Sequence, residues 1–426
     1  MHTWSPFLST RPIRRGLAAS LLIACGLLGA SVAPVLAQAP FPGAPDKPSL
    51  NLRFYLGDIW SSRVGAGFGA GLVFHHLGRH NAQGLMTVAP AHHEQVATAA
   101  WASSNPNLAQ QYVLVSARGF HSNRDWFFGL GPNSSLDDRQ SIERSAVQTR
   151  IRAGHHFLNR RLLIQPRLGV SLHQVDRVPT PSAPGLDPES NRHLQQLASK
   201  KIGPLEPEHT GLRVGVDVQY DTRPQRPPRN RGLLVEGGWS RYFSVSSSFV
   251  RYDRFDAGVF GFLPLGGIHH LVGRLSLAHT EAQGRASVPY FLRPTLGGSL
   301  VPGWSQHRFV DADRLISSVL YRFPIAEPFA ILQLDGHLGL HAASVYDDVF
   351  SQAALDLTFE ESLDPARSSV PLRPAASLGV RLGLSFRHAS SLEFTLGLSP
   401  EGVTAIHFTF NHDLQALRPP HHQIRR

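Results

Sequence analysis

Hydrophobic and polar residues alternate with a period of two along most of the chain. In residues 212–220 the apolar positions are Leu212, Val214, Val216, Val218 and Tyr220. The same alternation recurs in residues 162–172, 332–341, 378–387 and 392–398. Because successive side chains of a β-strand point to opposite faces, this pattern predicts strands with one apolar and one polar face.

Alternation alone also fits the half-exposed sheet of a soluble sandwich. Three further features favour a membrane barrel: the segments are about ten residues long, their polar faces carry Arg, Asp, Glu and Gly, and aromatic residues cluster at segment ends. Those aromatic residues are Trp239, Tyr242, Phe243, Tyr321 and Phe323. We therefore predict an all-β fold, a transmembrane antiparallel β-barrel over residues 51–414. The length fits sixteen strands, although twelve or fourteen remain open.

The N-terminus resembles an export signal. Three arginines precede an apolar stretch, and Val35 and Ala37 occupy the small-residue positions of a cleavage site. We predict a signal peptide at 1–37, a Pro-rich leader at 38–50 and a basic tail at 415–426. The sequence around Cys25 resembles a lipidation box, so a lipid anchor is an open alternative.

Composition narrows the class of protein further. The chain has 426 residues, 42% hydrophobic and 17% charged, with one Cys and a formal net charge of +10. This is too apolar for a disordered chain and too poor in Cys for a disulfide scaffold. On an exported protein the positive charge predicts contact with anionic outer-membrane lipid, including lipopolysaccharide, rather than with nucleic acid.

Three stretches carry motifs that go beyond alternation. The first is residues 127–139, with Gly129 and Gly131. The second is residues 220–236, a strand, a Pro-rich turn and a strand. The third is residues 289–324. Within the second and third stretches the motif residues are Asp221, Arg223, Gly232, Gly297, Gly298, Gly303 and Trp304.

These stretches resemble the barrel domain of the BamA/TamA-type outer-membrane proteins, the bacterial surface antigen family. The resemblance implies a sixteen-stranded barrel whose sixth outer loop folds back into the lumen. It also implies a weak seam between the first and last strands, used to insert or translocate other proteins. The implied partners are unfolded outer-membrane or secreted proteins and a separate periplasmic docking protein. No cofactor is implied.

The chain departs from the family pattern at the loop. The loop normally carries an Arg that pairs with an acid on the barrel wall, but Pro302 stands in its place and the matching wall segment is His341-Ala342-Ala343. Both members of that ion pair are absent. Trp304 packing and the wall residues Asp335, His337 and His341 are therefore expected to hold the loop. The 13 residues of the leader are too few for a periplasmic POTRA module.

Other functions find less support. The adjacent His pairs would point to opposite strand faces, so we predict no metal site. The chain lacks a Gly-x-Ser-x-Gly elbow, and Ser171 with His173 is a weak hydrolase candidate, so we predict no enzyme activity. The alternative function is a passive channel or structural barrel. In that case lumen arginines would line an anion pore instead of pairing with lumen acids. The arginines are Arg213, Arg274, Arg381 and Arg387; the acids are Asp217, Asp256, Asp335 and Glu393.

Overall fold

The computed structural model describes thirteen ranges of the chain: 49–55, 69–77, 82–104, 109–136, 139–177, 208–224, 231–246, 250–266, 269–283, 288–329, 332–352, 372–384 and 391–411. The predicted signal peptide, the basic tail and Arg387 lie outside these residues. The first strand begins at Ser49, within the last two residues of the predicted leader.

The described residues form eighteen strands, one short α-helix and two single-turn 3-10 helices, Tyr290–Leu292 and Gly298–Leu300. The strands are β1 Ser49–Tyr55, β2 Gly69–Leu77, β3 Ala82–Pro90, β4 Glu94–Ala102, β5 Gln111–Phe127, β6 Gln140–Phe157, β7 Leu162–Arg177, β8 Glu208–Asp221, β9 Gly232–Ser244, β10 Arg251–Gly266, β11 His269–Ala282, β12 Thr295–Leu296, β13 Phe309–Val310, β14 Asp313–Phe329, β15 Leu332–Tyr346, β16 Arg373–Leu384, β17 Ser391–Ser399 and β18 Gly402–Asn411. The helix, α1, is Val349–Gln352.

Sixteen of these strands form one sheet in the order β1 to β11 followed by β14 to β18. Each strand pairs antiparallel with its neighbour in this order, as in the pairs β5–β6 and β11–β14. The strands β12 and β13 form a separate pair within one connection. The prediction of an all-β antiparallel fold is confirmed, and the sheet has sixteen strands.

A contact between distant strands shows that the sheet curls into a barrel. Arg373, the first residue of β16, donates a hydrogen bond from Nη2 to the carbonyl oxygen of Pro132, in the connection that follows β5. In the sheet order, β5 and β16 are nine strands apart, which in a flat sheet would be about 43 Å at a spacing near 4.8 Å. Five connecting residues and one Arg side chain are too short for that distance, so the sheet must curl.

The two faces of the wall have the polarity of a membrane barrel. The outward apolar side chains are exposed, for example Leu275 at 52% and Leu338 at 47%. The inward positions next to them are polar and buried, including Ser276 and His337. None of the described helical segments is long and apolar enough to cross a membrane.

The predicted aromatic belt needs one correction. Trp239 and Phe243 share the outward face of β9, as expected, but Tyr242 is 1% exposed and points into the lumen. There its ring stacks on Tyr252 of β10 at a centroid distance of 5.0 Å. Aromatic side chains at a strand end alternate between the two faces of the sheet like any others. An aromatic residue near the end of a strand therefore need not face the lipid.

The connections differ between the two ends of the barrel. One end, called the loop end here, carries the connections 128–139, 178–207, 283–312, 347–372 and 400–401. The opposite end carries connections of two to ten residues, from 267–268 and 330–331 to 222–231. Long outer loops and short periplasmic turns are typical of outer-membrane barrels, so we infer that the loop end faces outward.

The face assignment predicts how charged substitutions behave. Leu275→Arg places a cation on the outward face at the middle of β11, where the lipid core lies, and should destabilise the barrel in liposomes by about 2–4 kcal/mol. Gln219→Arg, on the lumen face opposite Glu236, is the control and should change stability little. The measurement is urea unfolding followed by the electrophoretic shift of the folded form. Equal losses for both variants would contradict the assignment.

Candidate functional site

The connection between β11 and β14 folds into the lumen and is the candidate site; residues 288–312 are called the in-folded loop. Its two arms pair through β12 and β13. Gly297 and Gly298 turn the chain with φ angles of 112° and 61°, a region that favours glycine. The amide of Gly298 donates to the carbonyl oxygen of Trp304 at 2.8 Å. A Cβ atom on Gly297 would lie 1.9 Å from the carbonyl oxygen of Ser305, so the loop closes only with glycine there.

The tip of the in-folded loop touches the backbone of the barrel wall. Gly303 has a φ of 110°, and a Cβ atom on it would lie 2.4 Å from the carbonyl oxygen of Leu398 in β17. On the wall, a Cβ atom on Gly397 would lie 2.0 Å from the amide nitrogen of Gly303 and 2.5 Å from the carbonyl carbon of Pro302. Two glycines facing each other therefore allow loop and wall to meet backbone to backbone.

An apolar cluster buries the loop next to this contact. Trp304 is 1% exposed, and its ring packs at 5.2 Å from that of Phe309. From the loop the cluster also takes Leu296 and Val301, and from the wall it takes Ile316, Ala343, Val345 and Ala375. The small wall residues leave room for the indole ring. Burying a side chain the size of Trp stabilises the loop by several kcal/mol.

Arg308 anchors the loop through a buried ion pair. Its Nη2 lies 2.6 Å from Oε1 of Glu401, in the turn between β17 and β18. The guanidinium also donates to the hydroxyl and the carbonyl oxygen of Ser134, at 2.9 and 2.8 Å. It lies over the rings of Phe128 and Phe309, at 5.1 and 4.3 Å. One side chain thus joins the loop to the β5–β6 connection and to the last hairpin.

A second polar anchor holds the loop to β5 and β6. Nδ1 of His307 lies 3.0 Å from Oδ1 of Asp125, and the other carboxylate oxygen lies 2.6 Å from Nε of Arg144. Asp125 is 2% exposed. His307 adopts a positive φ of 58°, which is uncommon outside glycine. The residue with the strained backbone, His307, is therefore the one that contacts Asp125.

A third ion pair lies within the loop. Nη1 of Arg293 lies 3.4 Å from Oδ1 of Asp311, and Nε of Arg293 donates to the carbonyl oxygen of Val288 at 2.9 Å. Burial raises the pKa of the Asp311 carboxyl and lowers the pKa of the Arg293 guanidinium. Burial therefore opposes both charges, and their mutual attraction offsets part of that cost.

Asp335, His337 and His341 were predicted to hold the loop. They lie on the inward face of β15, before the residues of that strand that contact the loop. His341 bonds through its ring nitrogens to the hydroxyls of Ser318 and Ser377, both at 2.9 Å. Nε2 of His337 lies 3.9 Å from Oε1 of Glu393. Asp335 lies opposite Arg381 in the register of β15 and β16. These side chains link neighbouring wall strands, whereas the β15 residues in the loop cluster are Ala343 and Val345.

The structure brings one predicted strand-turn motif to the loop. Gly129 and Gly131 have φ angles of 100° and 90° and shape the β5–β6 connection. The amide of Gly131 donates to the carbonyl oxygen of Val310 in the loop at 2.9 Å. The first and third motif stretches of the sequence are therefore parts of one contact.

The other strand-turn motif lies apart, in the β8–β9 turn at the opposite end. Arg223 forms a two-pronged pair with Asp221, at 2.8 and 2.7 Å. Gly232 has a φ of 112° and packs beside Thr222, whose hydroxyl bonds with Leu233. This motif closes a turn and does not contribute to the in-folded loop.

The ion pair of Arg308 was not evident from the sequence. Arg308 stands within a motif stretch, but Glu401 is 93 residues away. Pro302 and His341, which stand where the family has its ion pair, gave no sign of a substitute pair elsewhere in the loop. Near Glu401 the sequence offers one hint of a turn, the following Gly402. In the structure Gly402 has a positive φ and lies at the last hairpin turn.

In the described part of the chain, no side chains are arranged for metal binding or for hydrolysis. No group of three or more His, Cys, Asp or Glu side chains is placed there to hold a metal ion. Ser171 and His173 line the same cavity, but neither ring nitrogen of His173 has a hydrogen-bond partner among the described residues. A serine nucleophile needs a base in hydrogen-bond contact, and this pair lacks it.

The fold is similar to solved outer-membrane barrels. The crystal structure of BamA from Haemophilus ducreyi lacking POTRA domains 1–3 matches with a TM-score of 0.53 and 12% identity, over 85% of this chain and 69% of that chain. The chain has the BamA-type barrel fold. CdiB from Acinetobacter baumannii matches at 0.45 and 10% identity, over 86% and 65%, and CdiB from Escherichia coli at 0.46 and 11%, over 86% and 62%. No protein-family model and no curated protein matches the chain.

The glycine contact at the loop tip of this BamA-type barrel can be tested by proteolysis. Gly303→Ala should weaken the docked loop by about 1–3 kcal/mol, because an L-residue is strained at that φ and collides with β17. Trypsin cleavage after Arg308, which is buried in the docked loop, should then become faster. Gly273→Ala is the matched control, since a Cβ atom there meets nothing within 4 Å. Equal cleavage of both variants would contradict the contact.

The Arg308–Glu401 pair can be tested by a double-mutant cycle. Arg308→Gln or Glu401→Gln alone should cost about 3–5 kcal/mol, because the remaining buried charge loses its partner, and the double variant should cost less than the sum. The control cycle is Arg241 with Asp253, a pair of the same 2.6 Å length whose Arg is 40% exposed. An ion pair with an exposed member is screened by water, so this control pair should couple more weakly. Urea unfolding measures both cycles, and equal coupling would refute the anchor.

Proposed function

We propose that this chain is an outer-membrane barrel that inserts or translocates other proteins at the outer membrane, acting through the seam between β1 and β18. The proposal is supported by the BamA-type fold and by the uneven height of the barrel wall. Its substrates would be unfolded outer-membrane or secreted proteins, and its surroundings outer-membrane lipid and lipopolysaccharide. The mechanism requires no cofactor.

The wall drops in height from β5 to β4, towards the first strand, and this observation carries the proposal. β4 has 9 residues and is flanked by described residues at both ends, whereas β5 and β6 have 17 and 18. At about 3.3 Å per residue and a tilt near 45°, β4 covers about 21 Å of bilayer and β6 about 42 Å. A short wall makes the adjacent bilayer thin to match it. Thinned lipid beside a sheet edge lowers the cost of moving a new strand into the membrane.

The in-folded loop argues against the passive channel. An open pore needs a continuous water path through the lumen. Here the loop reaches from Asp125 on β5 to Leu398 on β17, and Trp304 on it is 1% exposed. Lumen arginines also pair with lumen acids, as in Arg167–Asp217 and Arg254–Asp256. A lumen that is crossed by this loop and contains paired charges supports activity at the wall rather than conduction through a pore.

Reconstitution tests the proposal. The purified barrel is placed in liposomes, and the rate at which a small unfolded outer-membrane protein inserts is compared with protein-free liposomes and with an unrelated barrel. We expect a severalfold faster rate only with this chain. Insertion no faster than with the unrelated barrel would overturn the proposal and favour the structural or channel role.

A loop variant separates insertion from conduction. Trp304→Ala removes the buried ring that holds the loop, at a cost of about 3–5 kcal/mol, so insertion should slow and ion conductance should rise. Trp239→Ala, on the outward face of β9, is the matched control and should change neither. Steady conductance of the wild-type barrel that Trp304→Ala leaves unchanged would support the channel instead.

A further inference from the structure

A cavity of about 290 Å³ lies between the in-folded loop and the wall of β5 to β8. This is far more than the 10–15 Å³ that holds one water molecule. Two carboxylates line it, Glu94 and Asp125. Against them stand seven arginines: Arg118, Arg144, Arg150, Arg167, Arg213, Arg254 and Arg293. The lining therefore carries a large excess of positive charge in a confined space.

Several of these arginines already have carboxylate partners. The pairs are Arg144–Asp125 at 2.6 Å, Arg167–Asp217 at 3.0 Å, Arg254–Asp256 at 2.9 Å and Arg293–Asp311 at 3.4 Å. Such pairs fill a barrel lumen and need no ligand. The unexplained charge lies elsewhere in the cavity.

Arg150 and Arg213 stand on either side of a glycine. Arg150 of β6 is opposite Gly169 of β7, and Gly169 is opposite Arg213 of β8. Gly169 has no side chain, and together with the two arginines it lines the cavity. A Cβ atom on Gly169 would lie 3.9 Å from Cγ of Arg150, so that side chain passes over the glycine. Neither arginine makes an ion pair with any residue that the structure describes. Arg213 is held in place by a 2.5 Å hydrogen bond to the hydroxyl of Tyr252. Two guanidinium groups that face the same cavity form a cradle for an anion.

Two further side chains in the cavity hold polar atoms without hydrogen-bond partners. His173 is 4% exposed, and within the described ranges both of its ring nitrogens are unpaired. The hydroxyl of Tyr290, which is 5% exposed, is also unpaired there. Burial raises the pKa of Tyr290, so its hydroxyl stays a neutral donor. A buried polar group without a partner is costly, which indicates a missing ligand or bound water.

We propose that this cavity binds a phosphate group, either free phosphate or the phosphomonoester of a lipid headgroup, between Arg150 and Arg213. The guanidinium forks of both arginines match the oxygens of a phosphate dianion. His173 and Tyr290 contact the ligand or its hydration water on the loop side. This site goes beyond the proposed insertion role, and neither depends on the other.

Binding is measured on the folded barrel in an uncharged detergent. Titration calorimetry with inorganic phosphate should show one saturable site, and phosphate should raise Tm above that in chloride at equal ionic strength. Short-chain dihexanoyl phosphatidic acid is the lipid probe. Binding of both probes shows access for a headgroup, binding of phosphate alone shows a small-anion site, and either result supports the proposal. The same Tm in chloride and phosphate would overturn it.

Variants distinguish a binding residue from a structural one. Arg150→Gln or Arg213→Gln should weaken phosphate binding about tenfold or more, the loss of a charge-assisted hydrogen bond. Arg150→Gln should leave Tm in chloride unchanged or higher, because it relieves crowding among like charges. Arg251→Gln, exposed at the loop end, is the control. The proposal fails if this control weakens binding equally, or if Arg150→Gln lowers Tm equally with and without phosphate.

Discussion

The guanidinium of Arg308 joins parts of the barrel that are far apart in the sheet. It bonds to Ser134 after β5 and to Glu401 before β18. Because it sits on the in-folded loop, the same side chain fixes the loop and braces the wall across the lumen. A buried ion pair of this kind fixes the position of the loop, because any arrangement that separates the two charges leaves at least one of them buried without a partner.

The close contact at the loop tip depends on that brace. Gly303 and Gly397 meet backbone to backbone, a geometry with almost no tolerance in distance. Trp304 fills the remaining space against small wall residues. Polar anchors at Arg308 and His307 set the position of the loop from two sides, and the apolar cluster then fits only in that position. The loop is thus a rigid part of the lumen, and a mobile gate would need these contacts to break together.

The in-folded loop and the uneven wall separate the two activities that we propose. The tall strands β5 to β7 and the loop line the arginine cavity, and the tip of the loop reaches β17 on the other side of the lumen. The proposed protein insertion would take place at the lower wall near the first strand, and the proposed phosphate binding inside the cavity. The two activities would therefore use different surfaces of one molecule.

The sequence by itself determined the strands and their faces, because alternation with a period of two is a local property of each segment. The in-folded loop within residues 289–324 was implied by the resemblance of that stretch to the barrel family. The sequence could not assign Tyr242 to the lumen, pair Arg308 with Glu401, or place Arg150 and Arg213 across Gly169. Those contacts depend on register and on closure of the wall, which join residues far apart in the chain. Only the tertiary structure decides them, because no local pattern encodes which strands meet across a barrel.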